Sequence, residues 1–362
     1  MSACPETDPI KRATLLKEQH SEYGRAVAEL FDARSKGKLP EHWFMDSDSS
    51  QQATPLAVAD IRFQRIKRVL GDVTVHDVTC SIGTEGASCL AQGLDYVGSD
   101  LSLPRLVMAR ANVKAPFFQA DALTPCTTAD VIVADPARRA GGRRITNPEQ
   151  LLPPLSALLG SYSQNLAVKC APGLDFTEWE GLVSVVSVDG GVKEACLYTP
   201  GLAEGQRREA VVIRGGAVDK LSDSMPTADE LAGPAGRYII DPDGAVVRAG
   251  LVRQFAVREG LWMLDERIAY VTGDRIPHGY SGFEVLEQVP LKKLKAALAP
   301  HNPGSLEILV RGVDVDPDVL RKKLRPRGQR QMAVIVTRIG TQGVAFICNA
   351  RQVGSNKSEV EE

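Results

Sequence analysis

The sequence predicts an α/β chain: a Rossmann-like, doubly wound sheet of seven strands, with a helical segment before it and a small α+β domain after it. Three observations carry that expectation. Strand-length apolar runs alternate with helical periodicity from Thr74 onward. Val75-His76-Asp77-Val78-Thr79-Cys80-Ser81-Ile82-Gly83 passes from an apolar strand into a turn of small residues and then a helix. One βα unit later, Tyr96-Val97-Gly98-Ser99-Asp100 ends a second strand in an acid, the order that builds a nucleotide pocket.

Residues 1–70 form the helical segment. Apolar residues recur at helical spacing through Ala26, Val27, Leu30 and Phe31, and again from Leu56 to Leu70. Between them lies Gly37 to Phe44, a loop whose aromatics are of exposed type. Gln52-Ala53-Thr54-Pro55 reads as a helix start, with Thr54 as N-cap and Pro55 in the first turn. Residues 71–215 form the core, with strands at 74–78, 94–98, 116–119, 130–134 and 165–169 and helices near 84–92, 103–112 and 148–160. Val183 to Val188 and Glu209 to Arg214 are expected to finish the sheet as an antiparallel hairpin. Residues 216–280, rich in Gly, Pro and Asp, read as a connecting region with a helix at Leu251 to Leu264. Residues 281–352 form a β-α-β-α-β-β unit, with Asp316 as an N-cap before Pro317. Residues 353–362 are a polar tail.

Composition excludes several classes. With 43% hydrophobic and 24% charged residues the chain is an ordinary globular protein. Seven cysteines without a CxxC pair argue against a disulfide framework or a zinc site, so no metal is expected. The N-terminus has no apolar core of signal-peptide length, and no apolar run approaches a membrane span, so no membrane is expected and the location is read as cytoplasmic. The formal net charge is −2, yet Ser281 to Gln352 holds 12 Lys/Arg against 6 Asp/Glu. A basic module beside an acidic body suits a polyanion partner, or is simply a solvated face.

Acids stand at four successive strand ends: Asp77, Asp100, Asp121 and Asp135. They point to a methyltransferase using S-adenosylmethionine (SAM) rather than to a dinucleotide enzyme. Thr79, Ser81 and Gly83 would carry the methionyl part against backbone, with Asp77 near its ammonium. Asp100 would accept both ribose hydroxyls, or cap the next helix. Asp121 would accept from the adenine amine, with Leu101 and Ala122 also on the cofactor side. Asp135-Pro136 follows a strongly apolar strand; carboxylate and Pro carbonyl would orient or deprotonate the atom to be methylated. Arg138 would hold substrate. Arg139, Arg143 and Arg144 either grip nucleic-acid phosphates or pair with acids of the body. Lys169 would contact substrate or neutralise Asp135. Lys322, Lys323 and Arg325, with Lys292, Lys293, Lys295 and Arg311, would make a phosphate-binding face. Phe283 and Phe346 are the only aromatics after Ser281, which favours structured RNA over single-strand base reading.

Asp77 to Gly86, Asp100, Asp121 and Asp135-Pro136-Ala137-Arg138-Arg139 resemble class I SAM-dependent methyltransferases. Gln52-Ala-Thr-Pro, Lys169-Cys-Ala-Pro-Gly and Arg311-Gly-Val-Asp-Val-Asp-Pro narrow the resemblance to bacterial methyltransferases with a C-terminal THUMP-like domain. The resemblance implies SAM as cofactor, a methyltransferase sheet, a module similar to an RNA-binding domain and, by analogy, tRNA or rRNA as substrate class. Thr79 and Ser81 stand where glycines are usual. Arg138 stands where amino-directed nucleic-acid methyltransferases carry a stacking aromatic. The rival readings are a methyltransferase of a protein or small metabolite, and a non-catalytic RNA-binding protein with a decayed SAM pocket.

Overall fold

The computed structural model describes residues 9–137, 139–140, 143–144 and 147–355. It divides into two compact units, one of Met1–Val186 with Lys193–Arg207, the other of Ser187–Val192 with Arg208–Glu362.

The first unit opens with helices α1 (Pro9–His20), α2 (Gly24–Ser35), α3 (Ser47–Gln52) and α4 (Leu56–Leu70). There follow β1 (Thr74–Asp77), α5 (Thr84–Ala91), β2 (Asp95–Asp100), α6 (Leu103–Asn112), β3 (Phe117–Gln119) and β4 (Val131–Ala134). A short ribbon, β5 (Arg139–Ala140) and β6 (Arg143–Arg144), precedes α7 (Leu155–Ser161), β7 (Asn165–Cys170), β8 (Leu182–Val188) and β9 (Gly191–Tyr198), the last two counted here although their turn end, Ser187–Val192, falls in the second unit. Seven of these strands lie in the order β3-β2-β1-β4-β7-β9-β8. The first five run parallel and β9 is antiparallel to β7. Every residue of β4 is buried, as expected for a strand covered on both faces.

Three local expectations change. The hairpin that involves β8 joins it to the next segment, Gly191–Tyr198, through Asp189 and Gly190, both left-handed. Lys193 and Glu194 interrupt the apolar signal of β9 in the sequence. Trp43 is a core residue at 3% exposure, packed with Leu39 and Met45 among the sheet-facing side chains of α4, while Phe44 stays half exposed. Pro55, with extended ψ, is the N-cap of α4. Thr54 is buried and turns its hydroxyl to ionised side chains instead of capping the helix.

The second unit holds β10 (Arg208–Arg214), β11 (Ala217–Ser222), β12 (Tyr238–Ile240), α8 (Gly244–Arg248), α9 (Val252–Glu259), β13 (Trp262–Asp265), β14 (Ile268–Gly273), β15 (Ser281–Pro290), α10 (Leu294–Leu298), β16 (Pro303–Val310), α11 (Pro317–Leu324), β17 (Arg330–Ile339), β18 (Gln342–Asn349) and β19 (Gln352–Val353). Residues 209–214 neighbour β8 in the sheet order as expected, but their hairpin is with β11, across the left-handed pair Gly215-Gly216, and not with β8. The main sheet runs β13-β14-β12-β15-β18-β17-β16, with β19 on β15. The segment read as a connector thus supplies regular elements to this unit. The helix expected over Leu251 to Leu264 stops where Gly260 adopts φ +66, and Trp262–Asp265 becomes a strand. Asp316 does cap α11, accepting from the N–H groups of Asp318 and Val319. No described helix is long and apolar enough to cross a membrane.

Candidate active site

Parallel pairing sets the carboxyl ends of β2, β1 and β4 side by side, and with them Asp100, Asp77 and Asp135. Open α/β sheets bind ligands outside such ends. The turn after β1 is tied to both neighbours: Val78 N donates to Val133 O and Cys80 N to Ser99 O, each at 2.9 Å. Thr79 Oγ1 accepts from Asp135 N at 2.6 Å, which clips the turn to the end of β4. Ser81 sits at φ +48 and its N–H donates to Asp100 Oδ2 at 3.0 Å. A Cβ at Gly83, whose φ is +90, would lie 3.1 Å from Val113 Cγ2, and one at Gly98 2.7 Å from the Phe117 ring. The turn therefore needs glycine at 83 for conformation and space, while the hydroxyl of Thr79 does a job glycine cannot.

Asp100 also accepts from Ser102 N at 2.8 Å. Two backbone N–H groups thus orient a carboxylate with about four acceptor sites, leaving capacity for a diol. Ser102, not Asp100, is the N-cap of α6. Leu101 beside it is 66% exposed, an apolar surface next to the carboxylate. Asp121 is exposed and accepts from Leu123 N at 2.8 Å; Ala122 is buried and its carbonyl accepts from Tyr162 Oη at 2.8 Å.

Asp77 departs from expectation. It is 1% exposed, with Oδ1 accepting from Thr79 N and Oδ2 from Tyr96 Oη, both at 3.1 Å. The carboxylate braces the turn from behind rather than facing the crevice. Burial, with Glu85 nearby, pushes its pKa up to about 7. Gly86 makes room for this brace, because a Cβ there would lie 2.6 Å from the Tyr96 ring.

Lys169 also changes role. Its ammonium is buried, 2.7 Å from Asp135 Oδ2 and 3.1 Å from Glu85 Oε1, and it donates to Thr54 Oγ1. Three contacts use its three donors, so none is left for substrate. Those carboxylates hold Lys169 charged against the opposing pull of burial. Behind it, Arg62 of α4 pairs with Glu194 of β9 at 2.6 Å and with Glu85 at 3.4 Å. Charges thus alternate along Glu194, Arg62, Glu85, Lys169 and Asp135. Arg62, Glu85, Glu194 and Thr54 were missed by sequence reasoning. One signal was available: Arg62 and Arg65 fall on the same buried face of α4 as Val58, Ile61 and Ile66. A cation there requires a buried counter-charge.

Pro136 is buried, and Ala137 bridges Leu152. Arg138 lies outside the described residues. Arg139 and Arg143 lie on the β5–β6 ribbon, opposite Arg144 and Ala140 respectively; nothing is described of their side chains.

In the second unit, Lys295, Lys322, Lys323 and Arg325 surround Val319 in an open cleft of about 600 Å³. Lys322 and Lys323 occupy the last turn of α11, where unpaired carbonyls favour cations. Arg311 does not belong to this face. It is drawn inward onto Asp241 at 3.0 Å and stacks 4.5 Å from the Tyr270 ring centre, because desolvated Asp241 requires a cation.

Residues 280–350 match the THUMP domain-like family. Two uncharacterized S-adenosylmethionine-dependent methyltransferases of Mycobacterium tuberculosis, from strains CDC 1551 and H37Rv, are each 45% identical over 345 residues. Each match covers 88% of this chain and 94% of the relative. A crystal structure assigned to a methyltransferase of Porphyromonas gingivalis W83 aligns with a TM-score of 0.66 at 17% identity, over 96% of this chain and 100% of that one. This last likeness speaks for the fold.

Proposed function

The chain belongs to the SAM-dependent methyltransferases and carries a THUMP-like domain, and from that premise we propose that it methylates structured RNA of the tRNA or rRNA class. The observation that carries the substrate class is the cleft of Lys295, Lys322, Lys323 and Arg325, exposed cations with no aromatic among them. Such a surface suits phosphates displayed by a folded RNA better than unstacked bases. The free buried thiols of Cys80, Cys89, Cys170, Cys196 and Cys348 suit a reducing cytoplasm.

The first unit fits SAM. The turn after β1 takes left-handed backbone at Ser81 and Gly83 outside the carboxyl ends of the strands, and Asp100 is oriented with acceptor capacity to spare. When bound, SAM supplies an electrophilic methyl group on a sulfonium. Thr79, Ser81 and Gly83 would hold its methionyl part with Asp77 bracing the turn, Asp100 the ribose hydroxyls, Leu101 one adenine face, and Asp121 with Ala122 the adenine edge. Asp135, about one-quarter exposed, would accept a hydrogen bond from the target atom and aim its lone pair at the methyl carbon. The Pro136 carbonyl would share that task, Arg138 would hold the substrate, and Arg139 and Arg143 would grip its phosphates.

The test uses purified protein with labelled SAM and total tRNA and rRNA. Labelled RNA is expected, and Asp135→Ala should abolish it. Lys322→Glu, Lys323→Glu and Arg325→Glu together should weaken RNA binding at least tenfold and flatten its salt dependence, leaving SAM affinity unchanged. Label found only in protein or small molecules would replace the RNA reading. SAM binding without any transfer would leave a binding protein.

A further inference from the structure

The charge chain behind Asp135 is built from parts of the sequence far apart from one another. Thr54 and Arg62 come from the helical segment, Glu85 from α5, Lys169 from β7 and Glu194 from β9. Arg62 is 1% exposed, and only Asp135 at the end of the chain has appreciable exposure, at 24% of its side chain. Burying four ionised groups is costly, and apolar residues of the same size would pack as well at less risk. The arrangement therefore points to a use at its exposed end.

We propose that Arg62 and Thr54 are positioning residues for methyl transfer, holding Asp135 in place through Glu85 and Lys169, so that the N-terminal helical segment is part of the active site. Asp135 as the group that meets the target atom rests on the function proposed above. The lysine chain is flexible, and its ammonium has two carboxylates to choose from. Glu85, fixed by Arg62, and the Thr54 hydroxyl define the place from which it reaches Asp135 at 2.7 Å. Thr54 Oγ1 also lies 3.5 Å from Glu194 Oε2. Without Arg62, Glu194 loses its ion-pair partner, and Lys169 has a short path toward it past Thr54, away from Asp135. Asp100, Ser81 and Gly83 take no part in the chain, so cofactor binding and transfer are separable.

Arg62→Met, Arg62→Lys and Thr54→Val, with SAM affinity, transfer to RNA from pH 6 to 9, and crystal structures, test this. Arg62→Met and Thr54→Val should keep SAM affinity within about threefold while lowering kcat by ten- to a hundredfold, the order expected for a misplaced reacting group, and altering the pH profile. Arg62→Lys should restore part of the rate. The crystal structure of Arg62→Met should show the Lys169–Asp135 contact opened; that readout needs no RNA, so absence of wild-type transfer would refute the substrate reading without deciding this one. Should Arg62→Met not fold, Thr54→Val, which preserves shape, carries the same comparison. The proposal falls if a folded variant keeps the Lys169–Asp135 contact, or keeps wild-type kcat and pH profile, or loses SAM affinity and rate together.

Discussion

Replacing Lys169 by Met removes one cation and keeps most of the volume. The structure says where the cost falls. Asp135, one of the two carboxylates left behind, is partly exposed and can recover water. Glu85 is buried and keeps only Arg62, at 3.4 Å and without a well-aligned hydrogen bond to its Oε2. Breaking a fully buried pair costs ~3–5 kcal/mol; with one of the two carboxylates able to resolvate, about 3 kcal/mol is expected near pH 8. The pH dependence has a definite sign. In the native protein Glu85 is held below its ordinary value of 4.5 by Arg62 and Lys169, despite burial, so its contribution is present above that value and is lost only as pH falls through the lower folded one. Lys169 is held above 10.5 and is charged throughout this range. In the variant, burial is opposed by Arg62 alone, Glu85 takes up a proton more readily, and the deficit shrinks from pH 8 to pH 5. Urea unfolding at both pH values measures it. A deficit below about 1 kcal/mol at pH 8, or one that grows on acidification, would refute the reasoning.

Three further outcomes follow from the geometry. Asp100→Ala removes a charged acceptor oriented by two backbone N–H groups; at ~1.5–3 kcal/mol per charge-assisted hydrogen bond, calorimetry should show SAM affinity at least a hundredfold weaker, and a loss under fivefold would exclude the diol role. Gly86→Ala places a methyl 2.6 Å from the Tyr96 ring, so thermal unfolding should show a loss of ~1–3 kcal/mol, and an unchanged Tm would mean the Tyr96–Asp77 brace is softer than it looks. Asp77, raised from 3.8 to about 7, binds its proton more tightly folded than unfolded, so stability is lost as pH rises from about 4 to 7, by ~4 kcal/mol at most. Asp77→Asn should remove that slope in denaturant titrations at pH 5, 6 and 7, and an unchanged slope would assign it to other groups.

What the sequence by itself determined lies in short stretches of chain. The βα rhythm, the turn from Asp77 to Gly83 and the acids at strand ends depend on residues a few positions apart, where period and turn chemistry act. The strands and helices of residues 281–352 are legible for the same reason, with Asp316 capping as its position before Pro317 implies. Tertiary structure alone decided which groups those residues meet. Asp77 looks like a ligand contact until Tyr96 and Thr79 take both its oxygens. Lys169 could face substrate or Asp135, and only the approach of Thr54 and Glu85 uses up its donors. Thr54 meets Glu194 across 140 residues of sequence, a separation at which no spacing rule operates. Arg62 on the buried face of α4 announces in the sequence that a counter-charge exists, but not which one. Burial makes the choice: a desolvated cation must have a carboxylate, and the fold determines which carboxylate is within reach.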